Sequence, residues 1–249
     1  MFNFLSTTAP FSFMEHALLS LFSEFSKSFL AIVITILPIM NPPSGAAMFL
    51  SVTNGASAKT RHILAKNVAR NSFLMLLGFI LLGSFVLKFF GISKDIVLIG
   101  GGLLVAKLGW GLINAENITP RHNELPSEQQ TPEKLLDTAF YPICFPMTIG
   151  PGVLAASITL SVSVTGLFSD IPITQLAARM LGTLLGIAVL ALTVRICYGY
   201  AEKLMSTLGE NGAVVFLRIC AFILLCIGIQ LVWDGLASSI TELYRSAQI

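Results

Sequence analysis

"NPPSGAAMFLSV" (Asn41–Val52) interrupts one of the most apolar regions of the chain, directly after "AIVITILPIM" (Ala31–Met40). Pro42 and Pro43 donate no backbone hydrogen bond, and a proline ring inside a helix clashes with the carbonyl group one turn earlier. The same residues suit a helix start, with Asn41 as the N-cap and Pro42 at the first helical position. The stretch therefore predicts one helix that ends and another that begins within an apolar segment.

The composition of the whole chain is that of a membrane protein. Its 249 residues are 55% hydrophobic and 11% charged, and the mean hydropathy is +0.82. Soluble domains carry roughly 25% charged residues. The formal net charge of +2 is small, and the basic residues form no patch of the kind that binds DNA or RNA. Nucleic acid is therefore excluded as a partner.

Six segments are apolar enough to form spanning helices, each of which needs about 20 mostly apolar residues. They cover residues 28–52, 70–91, 96–114, 138–164, 173–200 and 214–238. A long polar connection separates them into two sets of three. The sequence predicts an all-α membrane protein with an N-terminal interfacial segment (1–27), a first three-helix repeat (28–114), a cytoplasmic linker (115–137), a second three-helix repeat (138–238) and a C-terminal tail (239–249).

The distribution of lysine and arginine predicts the orientation of these spans, because cytoplasmic loops are enriched in both residues. With the N-terminus outside, the basic residues of the inner loops and inner span ends are Lys59, Arg61, Lys66, Arg70, Arg121, Lys134, Arg195, Lys203 and Arg218. The outer segments hold only Lys27, Lys88, Lys94 and Arg245. Both termini are therefore predicted to lie outside the cytoplasm.

Three spans in each half imply that the second half enters the membrane in the opposite sense, which is typical of an inverted repeat. A shift of 109 residues places Asn41–Val52 over "GPGVLAASITLS" (Gly150–Ser161) and aligns Pro42 with Pro151. Each break then lies about 12 to 14 residues into its span, or ~18–21 Å at the helical rise. The sequence thus predicts that spans one and four are broken near the bilayer midplane.

Two half-helix N-termini would meet there from opposite sides. Their free N–H groups and positive dipole ends suit a carboxylate or another small anion. The candidate substrate-binding residues are Asn41, Pro42, Pro43, Ser44, Gly45, Thr148, Gly150, Pro151 and Gly152. The alternative interpretation is a pair of proline kinks, whose freed backbone groups are satisfied by neighbouring helices or water.

Charged residues within the predicted spans are few. Asp234 is the one acidic residue inside a span, and Arg179 lies at a similar depth in the preceding span. An ion pair between them is expected, either as part of a functional site or as a structural tie between helices. All three histidines lie outside the spans, and the four cysteines form no CxxC pair. We therefore expect no enzyme activity, no metal and no other cofactor.

Four motifs together resemble the MarC family of bacterial and archaeal integral membrane proteins: "NPPSGAAMFLSVT" (41–53), "FFGIS" (89–93), "IGGGLL" (99–104) and "GPGVLAASITLS" (150–161). The likeness extends from about residue 25 to 238 in order and spacing. It implies a six-helix inner-membrane protein, and some relatives are described as transporters of small neutral amino acids. Relatives commonly read Asn-Pro-Leu-Gly-Asn at the first motif, so this chain departs from them at Pro43 to Gly45. "IGGGLL" itself is interpreted as a face for close helix packing.

These observations lead to two hypotheses about function. The first is a multi-pass inner-membrane secondary transporter of small neutral amino acids or similar small metabolites, which binds substrate between the broken helices. Its partners would be that substrate and the lipid bilayer, and a homo-oligomer is left open. The second is a channel, or a structural or regulatory membrane protein without transport activity, in which the breaks are only kinks.

Overall fold

The computed structural model describes residues 9–114, 132–165 and 171–246, and these residues form helices without any strand. The helices are α1 (Ala9–Met40), α2 (Pro42–Val52), α3 (Ala58–Phe89), α4 (Lys94–Ile113), α5 (Pro132–Asp137), α6 (Pro151–Thr165), α7 (Ile173–Gly199) and α8 (Ala201–Ser246). Between α5 and α6, Ala139–Thr148 forms wide helical turns that extended backbone interrupts at Tyr141 and Phe145. We call this stretch the interrupted segment.

Four helical stretches are long and apolar enough to cross a membrane: Ala17–Met40, Ala58–Phe89, Ile173–Gly199 and Ala221–Ser246. Leu135–Thr148 and Pro151–Thr165, bent by 74° at a short break, would together make a fifth. The predicted all-α membrane class is therefore confirmed. α4 has 20 residues and coincides with the third predicted span, while the count of six spans and the inverted repeat stay predictions.

At both ends of the described chain the helix that contains a predicted span extends beyond that span. α1 runs without a break through the expected boundary between residues 27 and 28, because no proline or glycine lies between Pro10 and Pro38. Similarly, α8 continues to Ser246 through the expected tail at 239–249. The expected linker at 115–137 lies outside the described residues except for its last six, which form α5.

The extended α1 changes where the first break falls. Ala17–Met40 contains 24 residues, about 36 Å at the helical rise, which exceeds the roughly 30 Å hydrocarbon core. Asn41 therefore follows a stretch that is long enough to cross the membrane alone. The predicted span at 28–52, with its break in the middle, would contain only residues 28–40 of α1.

The helices pack mainly as four pairs. α1 and α3 both lie against α7, α3 also lies against α6 and the interrupted segment, and α4 lies against α8. Between α4 and α8 the backbones approach closely, since a Cβ on Gly102 would be 2.7 Å from the carbonyl oxygen of Gly228. The interpretation of "IGGGLL" as a packing face is confirmed. The buried core is centred on α1, α3 and α7, with Ile32, Ile36, Leu64, Leu76, Ile187 and Leu190 all inaccessible to solvent.

Candidate binding site at the two helix breaks

The first break is organised by Asn41. Its backbone is left-handed, with φ 44° and ψ 62°, a conformation that asparagine adopts more readily than most residues. The side-chain Oδ1 accepts a hydrogen bond from the amide of Ser44 at 3.4 Å, and Pro42 begins α2. Asn41 is therefore the N-cap, as predicted.

The first turn of α2 nevertheless offers no free amide. Pro42 and Pro43 have no N–H group. The amide of Ser44 is bound to the Asn41 side chain, and the amide of Gly45 donates to the Asn41 carbonyl oxygen at 3.0 Å. The expectation of free donors at this half-helix was wrong, because the second proline and the cap remove those that a helix start normally presents.

The second break is built differently. Tyr141 and Phe145 are extended, with φ and ψ near −122° and 127°, as expected for residues that precede proline. The interrupted segment ends at Thr148, and the amide of Ile149 donates to the Cys144 carbonyl oxygen at 2.8 Å.

α6 starts at Pro151 with two unused donors. The amide of its fourth residue, Leu154, donates to the Gly150 carbonyl oxygen at 3.1 Å. The amides of Gly152 and Val153 have no hydrogen-bond acceptor within the described part of the chain. Both residues are buried. This half-helix keeps the positive, hydrogen-bonding end that suits an anion.

Tyr198, near the end of α7, joins the two breaks. Its side chain is 1% exposed, and its hydroxyl oxygen lies 2.8 Å from Oγ1 of Thr148. Thr148 donates its one hydroxyl proton to the Ile143 carbonyl oxygen at 2.7 Å. A threonine hydroxyl has a single O–H, so Tyr198 is the donor to Thr148.

The same tyrosine packs against the first break. Its ring is stacked on Phe49 of α2, with 4.9 Å between the ring centroids. A Cβ on Gly45 would overlap the Tyr198 hydroxyl oxygen, so any larger residue there would require the tyrosine to shift. The structure thus brings Gly45 and Thr148 together around one hydroxyl group that the sequence analysis missed. The available signal was a tyrosine in an apolar run, since a buried tyrosine hydroxyl requires a partner.

The other predicted site residues surround this contact with varied exposure. Pro42 and Gly152 are buried, Asn41, Pro43, Ser44 and Gly150 are partly buried, and Pro151 is exposed. A cavity of about 140 Å³ reaches Tyr198 from the corner where α7 meets α8. Between the breaks, the Tyr198 ring itself occupies the space beside Gly45.

The predicted ion pair between Arg179 and Asp234 does not form. Nε of Arg179 lies 2.6 Å from a carboxylate oxygen of Glu24, and its Nη1 donates to the Ser163 carbonyl oxygen at 3.1 Å. Asp234 instead accepts a hydrogen bond from Gln230 on its own helix at 2.7 Å. The reason is packing: α7 lies against α1, which carries Glu24, whereas α8 lies against α4.

A second ion pair lies at the opposite end of α7. Arg61, at the start of α3, contacts the carboxylate of Glu202 at the start of α8. It also donates to the Thr53 carbonyl oxygen at the end of α2, with distances of 3.3 and 3.4 Å. Within the described residues, no three His, Cys, Asp or Glu side chains are close enough to share a metal ion.

A chain of helices of this length and apolarity, with broken helices buried among them, is an integral membrane protein of the multi-pass helical class. Residues 26–240 match the MarC family of integral membrane proteins. The protein belongs to that family, as the motifs indicated.

Relatives in bacteria and archaea match over most of their length. The chain is 27% identical to the membrane protein YvbG of Bacillus subtilis, over 91% of this chain and 95% of that one. It is 28% identical to the membrane protein MJ1677 of Methanocaldococcus jannaschii, over 83% and 94%. It is 26% identical to the inner membrane protein MarC of Salmonella typhimurium, over 82% and 91%. No solved structure matches the chain.

Proposed function

We propose that this protein is a secondary transporter of small neutral amino acids or similarly small zwitterionic metabolites in the bacterial inner membrane. The substrate would bind between the two helix breaks, where they meet at Tyr198 near the end of α7. The observation that carries this proposal is the meeting of both breaks at Tyr198, through Thr148 and Gly45. Two isolated kinks would have no reason to share one buried hydroxyl group.

The groups at the breaks match the chemistry of a zwitterion. The unused amides of Gly152 and Val153, at the positive end of α6, would bind a carboxylate. The oxygen atoms of Thr148, Tyr198 and Asn41 would accept hydrogen bonds from an ammonium group. Because the Tyr198 ring fills the space beside Gly45, substrate entry would require Tyr198 to leave Thr148.

The helix packing supports the proposal of two equivalent, inverted halves, each with three spans. Under the predicted repeat, the first three spans (α1 with α2, α3, and α4) correspond in order to the last three (the interrupted segment with α6, α7, and α8). The contact of α1 with α7 would then become the contact of α6 with α3, and the contact of α4 with α8 would map onto itself. All of these contacts are present. Rocking of one half against the other would expose the site alternately, with both termini outside the cytoplasm.

A second candidate is a channel or a structural protein without transport activity. It is favoured by the hydrogen bonds inside each break, from Ser44 to Asn41 and from Thr148 to Ile143. These bonds satisfy groups that the prolines set free, as a static kink requires.

Uptake of labelled glycine, alanine, serine and threonine into proteoliposomes distinguishes the two candidates. The wild type should accumulate at least one of them against a gradient and exchange it with unlabelled substrate. Gly150→Leu should reduce uptake by at least about tenfold, because it places a large side chain at the start of α6. The absence of flux for all four amino acids in the wild type would overturn the substrate class.

Tyr198→Phe tests the site itself. It removes only the hydroxyl group of Tyr198 and with it the hydrogen bond to Thr148, which is worth about 0.5–1.5 kcal/mol. We expect the substrate concentration for half-maximal uptake to change by about three- to tenfold. Tyr244→Phe, at an exposed position on α8, is the matched control and should leave uptake within about twofold. Equal uptake by the two variants would remove Tyr198 and Thr148 from the site.

A further inference from the structure

A second region of the molecule has the chemistry of an anion site. A cavity of about 540 Å³ lies between the start of α3 and the end of α7. Its basic side chains are Lys59, His62 and Lys66 of α3 and Arg195 of α7, and its apolar wall includes Leu192 and Ile196. We call this cavity the basic groove. It shares His62 and Tyr200 with the smaller cavity that reaches Tyr198, but none of its residues belongs to the proposed substrate site.

The spacing of these residues explains how the groove forms. Lys59, His62 and Lys66 are three and four positions apart, so they share one face of α3. Arg195 faces them across the groove from α7. Gly199 brings the two helices close, since a Cβ there would be 3.1 Å from Nδ1 of His62. The His62 ring is also held edge-on against Tyr200, with 5.5 Å between the ring centroids.

The positive charge of the groove is not neutralised by the described part of the protein. No carboxylate lines the cavity, and none of the described carboxylates lies within 4.0 Å of a nitrogen of Lys59, Lys66 or Arg195. The acidic residue nearest along α8, Glu202, is paired with Arg61. Three like charges gathered around one cavity repel each other and favour a bound anion.

The apolar wall identifies the kind of anion. Leu192 and Ile196 are 52% and 50% exposed, and Ile63 beside them is 42% exposed. In a spanning helix such side chains face lipid. A molecule that fills the groove would therefore contact cations with one part and hydrocarbon with another. Basic pockets between spanning helices on the cytoplasmic side bind anionic lipid head groups, and the lysine and arginine distribution predicts that this end is cytoplasmic.

We propose that the basic groove binds the phosphate group of an anionic phospholipid, with Lys59, Lys66 and Arg195 around the phosphate oxygens and an acyl chain along Leu192 and Ile196. A free phosphate ion would use the same cations but would leave the apolar wall unused. The site holds a lipid of the inner leaflet against α3 and α7, independently of what the helix breaks transport.

Native mass spectrometry of the full chain, released from nanodiscs of mixed phosphatidylglycerol and phosphatidylcholine, tests this proposal. The wild type should retain phosphatidylglycerol in preference to phosphatidylcholine. The triple variant Lys59→Gln/Lys66→Gln/Arg195→Gln should lose about tenfold of that preference. The control triple variant Lys88→Gln/Lys107→Gln/Arg245→Gln changes the net charge equally at exposed positions outside the groove and should stay within about twofold of the wild type.

Two results would overturn the proposal. One is an equal loss of preference in both triple variants, which would mean that retention follows net charge alone. The other is displacement of phosphatidylglycerol by millimolar inorganic phosphate, which would identify a free anion as the ligand. If the groove triple variant does not fold, the single variant Lys66→Gln replaces it, with an expected loss of about threefold and Lys107→Gln as its control.

Discussion

The two helix breaks contain the same motif of proline at a helix start but leave different groups available. At the first break, the Asn41 cap and two prolines use or remove all the early donors of α2. At the second, a single proline starts α6 and the amides of Gly152 and Val153 remain unused. The first break therefore provides room for the Tyr198 hydroxyl group, at Gly45, and the second provides hydrogen-bond donors. A pair of breaks related by sequence need not contribute equally to one binding site.

The largest expected effect in this comparison is that of Asn41→Ala. It removes a cap, at a cost of about 0.5–2 kcal/mol, and places alanine in the left-handed conformation, at a cost of about 1–2 kcal/mol. We expect a loss of about 2–3 kcal/mol in the free energy of unfolding in detergent. Asn41→Gly, which tolerates the left-handed backbone, should lose only a few tenths of a kcal/mol.

The second break supplies the control for this prediction. Gly150 does not have a positive φ, and a Cβ there would meet only the Pro146 carbonyl oxygen at 3.2 Å. Gly150→Ala should therefore cost less than about 1 kcal/mol. Equal losses for Asn41→Ala and Gly150→Ala would show that the two breaks do not differ in the way described.

Gly45→Ala should have the next largest effect. The new methyl group would overlap the Tyr198 hydroxyl oxygen, and overpacking of this kind costs about 1–3 kcal/mol. The double variant Gly45→Ala/Tyr198→Phe removes that oxygen and should recover at least half of the lost stability. Gly78→Ala on α3, where a Cβ would meet no atom within 4 Å, is the neutral control. Failure of the second substitution to restore stability would contradict the close contact.

Pro43→Leu should have the smallest effect on stability. It makes the two breaks more alike, because each would then have a single proline at its helix start. It restores one backbone N–H at the second position of α2 and matches the residue that relatives commonly have there. Because the proline sits in the first turn, stability should change by less than about 1 kcal/mol. If the first break contacts the substrate, the added donor should lower the concentration for half-maximal uptake by about threefold. An unchanged value would place the substrate at the second break alone.

Local sequence chemistry was sufficient to predict both breaks. The Asn41 cap and the helix starts at Pro42 and Pro151 follow from side-chain and backbone preferences that act within one turn. The membrane class followed from apolar segment length alone. The predicted boundary between the interfacial segment and the first span was wrong, because no proline or glycine separates them and α1 runs through both.

Contacts between residues that are far apart in the sequence could not be predicted from these local preferences. Tyr198 meets Thr148 across 50 positions of the chain, and Arg179 meets Glu24 across 155. Similar depth in consecutive spans brings Arg179 and Asp234 together only where those two spans are neighbours. In the structure α7 instead packs on α1 and α8 on α4, so the partner of Arg179 was decided by helix order.

The two ion pairs tie the halves of the molecule at both ends. Arg179 and the end of α7 are about 20 residues apart, or ~30 Å at the helical rise, close to the hydrocarbon thickness. Separating α1 from α7 would break the bond to Glu24 together with the buried packing between the two helices, and separating α3 from α8 would break the bond between Arg61 and Glu202. Surface ion pairs contribute about 0–1 kcal/mol each. The two ion pairs therefore add little to the cost of separating the halves, and the buried packing of α1 against α7 sets most of it.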